Sequence, residues 1–272
     1  MPICKLCGNS CSQLMQSHII PKLVYNRIKT HPQSRFRDYS NIKRPLQDGE
    51  KHEMLCHECE EKFSKYETKF ATNFLDKYLQ SQEIPTIDCN TGWLGNYIVS
   101  VAWRIIHDDL YRLNSFDNEW CRSTFEDFER LLHHHLEKNP IPNTLPAEIK
   151  NYVFDISKFI RRGDDLSFLD GMLFGYPYYD LEHDIYLVYT FYANLIFATT
   201  FSPRSSRVIY LKTDAKFLST IKSLFLPQKS KIRFSLRNEF AKHCQFIATQ
   251  HAQNMTPDLR NKIQKYYENK RK

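Results

Sequence analysis

Glycine is scarce in this sequence, with only 7 residues among 272. Neither a GxxxxGK(S/T) phosphate loop nor a GxGxxG dinucleotide fingerprint occurs, and both motifs depend on closely spaced glycines. A run of about 18 apolar residues, the length that a membrane span needs, is also lacking. The first residues, Met1 to Lys5, contain no apolar signal region. We therefore expect no membrane partner and a cytoplasmic location.

Composition and length are those of an ordinary folded protein. Hydrophobic residues make up 42% of the chain and charged residues 25%, which excludes wholesale disorder. The length predicts one or two domains. Charge is uneven, because residues 1–70 carry 12 basic and 8 acidic side chains, residues 71–221 carry 14 and 20, and residues 222–272 carry 12 and 3. Two basic ends suit a polyanion such as nucleic acid.

Four of the eight cysteines form two CxxC pairs, Cys4 with Cys7 and Cys56 with Cys59. A gap of two residues lets both thiolates of a pair turn toward one ion, and two pairs complete a tetrahedral shell of four sulfurs. The pattern predicts a structural zinc ion on these four residues. Cys11 is a fifth ligand or a spare thiol, and we favour the spare thiol. Three isolated cysteines are interpreted as small buried hydrophobic residues: Cys89, Cys121 and Cys244.

Hydrophobic periodicity predicts the order of the elements. Short strands and loops precede a helix that begins at about Glu60. Apolar residues at helical spacing predict further helices over residues 93–106, 125–136 and about 146–161. Runs of β-branched and aromatic residues predict an antiparallel sheet, formed by residues 185–201 and 208–211.

Three short motifs carry a resemblance to a known family. The chain has C-K-L-C-G at residues 4–8, S-H-I-I-P-K at residues 17–22 and L-C-H-E-C-E at residues 55–60. This order resembles the zinc-binding branch of the HNH, or ββα-metal, endonucleases, and a group of bacterial proteins with the pattern CxLCG, SHIIPK and LCxxCE. The resemblance covers about residues 1–67, roughly a quarter of the chain.

The resemblance and the hydrophobic pattern together predict a fold of the α+β class. We expect an N-terminal treble-clef, ββα-metal-like zinc module, followed by a mostly helical region with one antiparallel sheet. The expected domains are residues 1–85, the module with its exit helix, and residues 86–272, whose role the sequence does not indicate.

The resemblance also implies which residues act. In that family the histidine after the first strand is the general base, which takes a proton from water so that hydroxide attacks phosphorus. This position is His18. The residue after the last cysteine holds the catalytic ion, and here it is Glu60, whose carboxylate suits Mg²⁺ or Mn²⁺. The residue before the base is usually an acid, whereas this chain has Ser17.

Each of these residues also has a plainer interpretation. His18 could pack in the hairpin, bind a water molecule or ligate zinc, and Glu60 could be an acid favoured by the helix dipole. The run His133, His134 and His135 does not predict a metal site, because consecutive helical residues point in different directions.

Basic residues between the two cysteine pairs are candidates for contacts with nucleic-acid phosphates. They are Lys22, Arg35, Arg37, Lys43 and Arg44. A solvated basic loop is the alternative interpretation of this stretch.

The sequence therefore predicts a metal-dependent endonuclease that hydrolyses phosphodiester bonds of DNA, or less readily of RNA. Zinc would be structural and Mg²⁺ or Mn²⁺ catalytic. The resemblance alone implies a role in defence against phage or mobile elements. The alternative function is a non-catalytic, zinc-scaffolded module that binds nucleic acid or protein. Control of the module by a regulatory protein partner or by self-association is a further hypothesis, drawn from the charge asymmetry.

Overall fold

The structure, a computed structural model, describes residues 1–29, 36–37, 45–46, 49–87, 92–138, 145–156, 172–181 and 185–202. Helices and sheets both occur in this part of the chain, consistent with the predicted α+β class. None of the helices described combines the length and the apolar character that crossing a bilayer requires.

The N-terminal part is built around a two-stranded antiparallel hairpin. Strand β1 (Met15–His18) pairs with β4 (Lys51–Leu55), so that Ser17 lies opposite His52. Between these strands the described residues form α1 (Lys22–Ile28), β2 (Phe36–Arg37) and β3 (Pro45–Leu46), the last two paired with each other. These elements thus lie in the long connection between the two strands of one hairpin.

A long helical segment follows β4 directly. Helix α2 (His57–Phe70) continues through a π-helical turn (Ala71–Leu75) into α3 (Asp76–Ser81). Gln82 ends it in the left-handed conformation, with φ of 56°. The predicted helix is therefore confirmed, and it begins three residues before Glu60.

Two further helices follow. Helix α4 (Trp93–Asp108) runs into a π-helical turn (Asp109–Leu113), and α5 spans Glu119–Glu137. Asn118 precedes α5, and its side chain accepts a hydrogen bond from the backbone N–H of Cys121. This is a conventional N-cap, which satisfies one of the free amides of the first turn. The helices predicted over residues 93–106 and 125–136 are confirmed.

A four-stranded antiparallel sheet follows, in the order β5-β8-β7-β6. Its strands are β5 (Ile149–Asp155), β6 (Phe174–Asp180), β7 (Ile185–Tyr192) and β8 (Leu195–Phe201). The strands predicted within residues 185–201 are confirmed, whereas residues 208–211 lie outside the described residues.

The predicted helix over residues 146–161 is wrong. Residues Ile149–Asp155 form β5, which pairs along its whole length with β8. Tyr152, Val153 and Phe154 are consecutive and all buried, because both faces of the sheet are covered there. In a short continuous apolar run, the spacing of the apolar residues cannot distinguish a buried strand from a helix. Here the pairing with β8 favours the strand.

Helix α4 lies at the centre of the molecule and is buried on almost every side. It packs against α2, α5 and the four-stranded sheet. Tyr97 of α4 stacks on Phe70 of α2 with ring centroids 3.8 Å apart. A single hydrophobic cluster includes Cys4 at the N-terminus and Phe201 at the end of β8. The N-terminal hairpin with its cysteines and the helices that follow therefore share one core.

Candidate functional site

The first cysteine pair lies in a tight turn before β1. The backbone N–H of Gly8 donates to the carbonyl of Cys4 at 3.0 Å, and that of Cys4 donates to the carbonyl of Asn9 at 3.0 Å. Gly8 has φ of +69°, a conformation that costs an L-residue about 1 kcal/mol or more. This glycine lets the chain reverse immediately after Cys7.

The second cysteine pair lies at the start of α2. Cys56 is the residue that precedes the helix, and Cys59 lies in its first turn. Two backbone hydrogen bonds bring the pairs together. The N–H of Lys5 donates to the carbonyl of Met54 at 2.9 Å, and the N–H of Cys56 donates to Cys4 Sγ at 3.3 Å.

The sulfur atoms of Cys4, Cys7, Cys56 and Cys59 all lie within 4.8 Å of one another. The Sγ atoms of Cys7 and Cys56 are 3.8 Å apart. Tetrahedral zinc with Zn–S bonds of about 2.3 Å separates its sulfur ligands by about 3.8 Å, so the observed spacing suits this ion. The group could therefore hold a metal such as zinc, as the two CxxC pairs predict.

The ionisation of the four thiols depends on their surroundings. Burial opposes ionisation of Cys4, but hydrogen bonds from the backbone N–H groups of Cys7, Cys56 and Leu6 outweigh it and lower the pKa of Cys4 to about 7. Burial and the neighbouring sulfurs raise the pKa of Cys59 far above its ordinary value. Because four thiolates repel one another, a bound cation is what allows all four to ionise together.

Among the described residues, Cys11 and Cys121 lie outside this group. Cys11 is half-buried, and its sulfur lies 3.5 Å from the carbonyl of Pro2. Cys121 is fully buried in α5. Cys89 and Cys244 lie outside the described residues.

Ser17, which precedes the candidate base His18, and Glu60, the candidate ligand of the catalytic ion, meet beside the cysteines. Ser17 is fully buried, and its hydroxyl donates to Glu60 Oε2 at 2.8 Å. Glu60 is half-buried, in the first turn of α2. His18 follows Ser17 as the last residue of β1 and is half-buried. Within its imidazole, the Nε2 atom is buried.

The main chain of His18 is held by a residue that sequence reasoning missed. Arg104 of α4 is completely buried, and its Nη1 donates to the carbonyl of His18 at 2.8 Å. Its Nη2 donates to Glu67 Oε1, also at 2.8 Å. The available signal was a lone arginine in the apolar run of α4, since arginine is almost never buried without partners.

The predicted nucleic-acid contacts are described only in part. Lys22 is exposed at the start of α1. Arg37 lies in β2, where only the backbone is described. Arg35, Lys43 and Arg44 lie outside the described residues.

A second group of potential metal ligands comprises Glu50, His52 and Asp108. Arg112 donates to Asp108 Oδ1 at 2.5 Å and to Glu50 Oε1 at 2.7 Å. His52 Nε2 lies 3.1 Å from Glu50 Oε1. The single guanidinium of Arg112 contacts both carboxylates, so these residues form an ionic link between the start of β4 and the end of α4.

The three consecutive histidines of α5 have separate environments. His133 donates from Nε2 to the backbone carbonyl of Leu6, between the first two cysteines. His135 donates to Asn96 Oδ1 at 3.1 Å, and His134 is exposed. They do not converge on one point, which agrees with the sequence interpretation.

Comparison with protein-family models, with curated proteins and with solved structures finds no match in any of the three.

Proposed function

We propose that this protein is a metal-dependent endonuclease built on a zinc-held treble-clef module, which acts on DNA more readily than on RNA. One observation carries the proposal. Ser17 Oγ and Glu60 Oε2 lie 2.8 Å apart, although 43 residues separate them. These are the positions before the base and after the last cysteine, which the resemblance assigns to one catalytic ion. The succession of cysteine turn, β1–β4 hairpin and α2 supports the treble clef.

In this proposal each residue of the site has one role. Four cysteines hold structural zinc, which ties the first turn to the start of α2. His18 takes a proton from the attacking water, which an imidazole can do near neutral pH. The carboxylate of Glu60 offers a hard oxygen atom, which suits Mg²⁺ or Mn²⁺, and the Ser17 hydroxyl orients that carboxylate. Such an ion, when bound, stabilises negative charge on the scissile phosphate.

The basic residues between the cysteine pairs would contact the phosphate backbone. Lys22 is the member whose exposed position at the start of α1 supports this role. A function in defence against phage or mobile elements is proposed from the family resemblance alone. Control by a protein partner or by self-association stays a prediction.

The test is plasmid nicking by the full-length, zinc-loaded protein with added Mg²⁺ or Mn²⁺. We compare wild type with His18→Ala and Glu60→Gln, and single-stranded DNA and RNA are assayed in parallel. His134→Ala is the matched control, because it removes an exposed histidine on α5 that lies outside the proposed site. Zinc content and circular dichroism are measured for every variant.

The endonuclease proposal predicts nicking by wild type and by His134→Ala, and a loss of about 100-fold in His18→Ala, the typical contribution of a general base. Equal nicking by wild type and His18→Ala would remove His18 from the mechanism. The absence of cleavage on every substrate, with zinc bound and the fold intact, would reject the endonuclease.

One observation favours a second function, a non-catalytic module that binds nucleic acid. Ser17 is fully buried where an acid would be expected, and its hydroxyl is engaged by Glu60. In that case DNA binds without cleavage. Fluorescence anisotropy with a labelled duplex would show affinity that falls with salt, since each neutralised phosphate releases counterions. The variant Lys22→Gln would then reduce the salt slope.

A further inference from the structure

Arg104 lies in the middle of α4 with no exposed surface, far along the chain from the proposed base. Its guanidinium has acceptors on three elements. Nη1 donates to the carbonyl of His18 on β1, and Nη2 donates to Glu67 Oε1 on α2, both at 2.8 Å. Nε donates to the carbonyl of Ser100, one turn earlier in α4, at 3.2 Å. The guanidinium carbon lies 5.2 Å from the centre of the Phe63 ring.

These contacts supply hydrogen-bond acceptors to the buried positive charge of Arg104, which cannot be removed by deprotonation. Arginine stays protonated in proteins, and a buried charge without partners is strongly unfavourable. Arg104 therefore needs the His18 carbonyl and the Glu67 carboxylate where they are. In turn, Arg104 restricts where the His18 carbonyl and the Glu67 carboxylate can lie, because the planar guanidinium presents its N–H groups in fixed directions. The position of the His18 main chain relative to α2 is thus set by a residue from the helical region.

His18 lies where the chain changes direction, and hydrogen bonds to other elements fix its backbone there. It is the last residue of β1, and the chain bends at residues 19–20 before Pro21 precedes α1. The N–H of Ile19 donates to the carbonyl of Glu50 at 3.0 Å, so the partner strand holds this corner from one side. Arg104 holds it from the side of α4.

We propose that Arg104 is a positioning residue, which holds the backbone of His18 so that its imidazole meets the water and phosphate in register. This inference rests on the proposed endonuclease function. It makes residues beyond 85 a working part of the site, because α4 supplies the contact. Helix α5 adds to the same docking, since His133 donates to the Leu6 carbonyl and Lys62 donates to the Leu136 carbonyl.

The experiment uses full-length, zinc-loaded protein with four substitutions. Arg104→Met removes the charge and the hydrogen bonds, whereas Arg104→Lys keeps the charge without the planar fork. Glu67→Gln keeps an acceptor for Arg104 Nη2. The matched control is Arg122→Met. Arg122 also links elements, and its partners among the described residues, which are Glu126, Asn114 and the Leu110 carbonyl, all lie beyond residue 85.

Two readouts separate positioning from general stability. Nicking of a labelled duplex gives kcat and KM, each corrected for the folded fraction. The imidazole resonances of His18, identified by their loss in His18→Ala, are recorded by NMR without Mg²⁺. We expect kcat to fall about 10- to 100-fold in Arg104→Met, the effect of a displaced catalytic group, with KM within about twofold. Arg104→Lys should recover part of kcat, and the His18 resonances should move most in Arg104→Met, less in Arg104→Lys and Glu67→Gln, and not in Arg122→Met.

The outcomes are distinct. A kcat loss in Arg104→Met no larger than in Arg122→Met, or unmoved His18 resonances, overturns the positioning role. Failure of wild type to cleave overturns the endonuclease proposal instead, and the resonances still report whether Arg104 holds His18. If Arg104→Met does not fold, Arg104→Lys and Glu67→Gln decide. Wild-type kcat and unmoved resonances in both of these variants would overturn the proposal.

Discussion

The hydroxyl of Ser17 donates a 2.8 Å hydrogen bond to Glu60 Oε2, which joins the end of β1 to the first turn of α2. Ser17 has no exposed surface, whereas Glu60 is half-buried. One oxygen of the carboxylate is thereby oriented by the protein. This contact lies next to the four cysteines, and it is the structural basis for treating the cysteine group, the hairpin and the helix as one site.

Substitution of Glu60 by Gln should separate the structural role from the chemical one. The amide oxygen still accepts from Ser17, so we expect unfolding free energy to change by less than about 0.5 kcal/mol, as at an ordinary surface position. The lost carboxylate charge should lower metal-dependent nicking at least about tenfold. Ser17→Ala should instead cost about 1 kcal/mol in urea unfolding, the usual value of one hydrogen bond. Full nicking activity in Glu60→Gln would contradict the assigned role.

Removal of one cysteine of the group should release the metal. We expect about one zinc per chain in the wild type and much less in Cys59→Ser, because a structural site needs all four ligands. The bound metal stabilises the folded state, so a loss of about 3 kcal/mol would lower Tm by roughly 6–12 °C.

Cys11→Ser is the control for this experiment, since Cys11 lies outside the group. Elemental analysis and thermal unfolding measure both variants. Equal zinc in Cys59→Ser and wild type would show that the metal binds elsewhere.

Substitution of two glycines by alanine should change stability in opposite directions. Gly95 lies in the central helix α4, and Gly175 lies in β6, which packs against that helix. A Cβ on Gly175 of β6 would lie 2.6 Å from Ile105 Cδ1 and 2.9 Å from Thr190 Cγ2, so Gly175→Ala should cost about 1–3 kcal/mol by overpacking. A Cβ on Gly95 of α4 would meet only Asn151 Nδ2, at 3.8 Å. Gly95→Ala should stabilise the protein by about 0.5–1 kcal/mol through helix propensity.

Urea denaturation at a single pH measures both glycine variants. A Gly175→Ala protein as stable as wild type would mean that β6 does not press on α4 as closely as described.

Asp109 should make stability depend on pH. Burial raises its pKa from 3.8 to about 6, although Ser115 donates to its Oδ1 at 2.6 Å. The folded state therefore binds a proton more tightly than the unfolded state does. Stability from this group is fully present below pH 3.8 and is lost as the pH rises through about 6. At neutral pH the ionised Asp109 destabilises the fold by up to roughly 3 kcal/mol.

Asp109→Asn removes this penalty and keeps an oxygen for Ser115. We expect the variant to be more stable than wild type by about 1–2 kcal/mol at pH 7.5, and the gap to narrow by roughly half at pH 5. Urea unfolding of both proteins at the two pH values tests this, and effects of pH on the cysteine group cancel in the difference. A gap that widens toward acid would contradict the assignment.

Local patterns in the sequence were sufficient for a large part of the fold. The two CxxC pairs predicted the cysteine group, because a two-residue gap is a property of the chain itself. Helix α4 was predicted from apolar residues at helical spacing, and strands β7 and β8 from aromatic and β-branched runs. These signals are local, and burial in the tertiary structure reinforces each of them.

The sequence by itself determined which residues could form a metal group and where the principal helices and the central strands lie. Only the tertiary structure decided that residues 149–155 are a strand. The spacing of apolar residues there fits a helix or a buried strand, and pairing with β8 selects the strand. The tertiary structure alone brought Ser17 to Glu60 and Arg104 to His18. Partners so far apart along the chain meet because α2 packs against the hairpin and α4 packs against α2, and no local pattern encodes which polar groups that packing buries together.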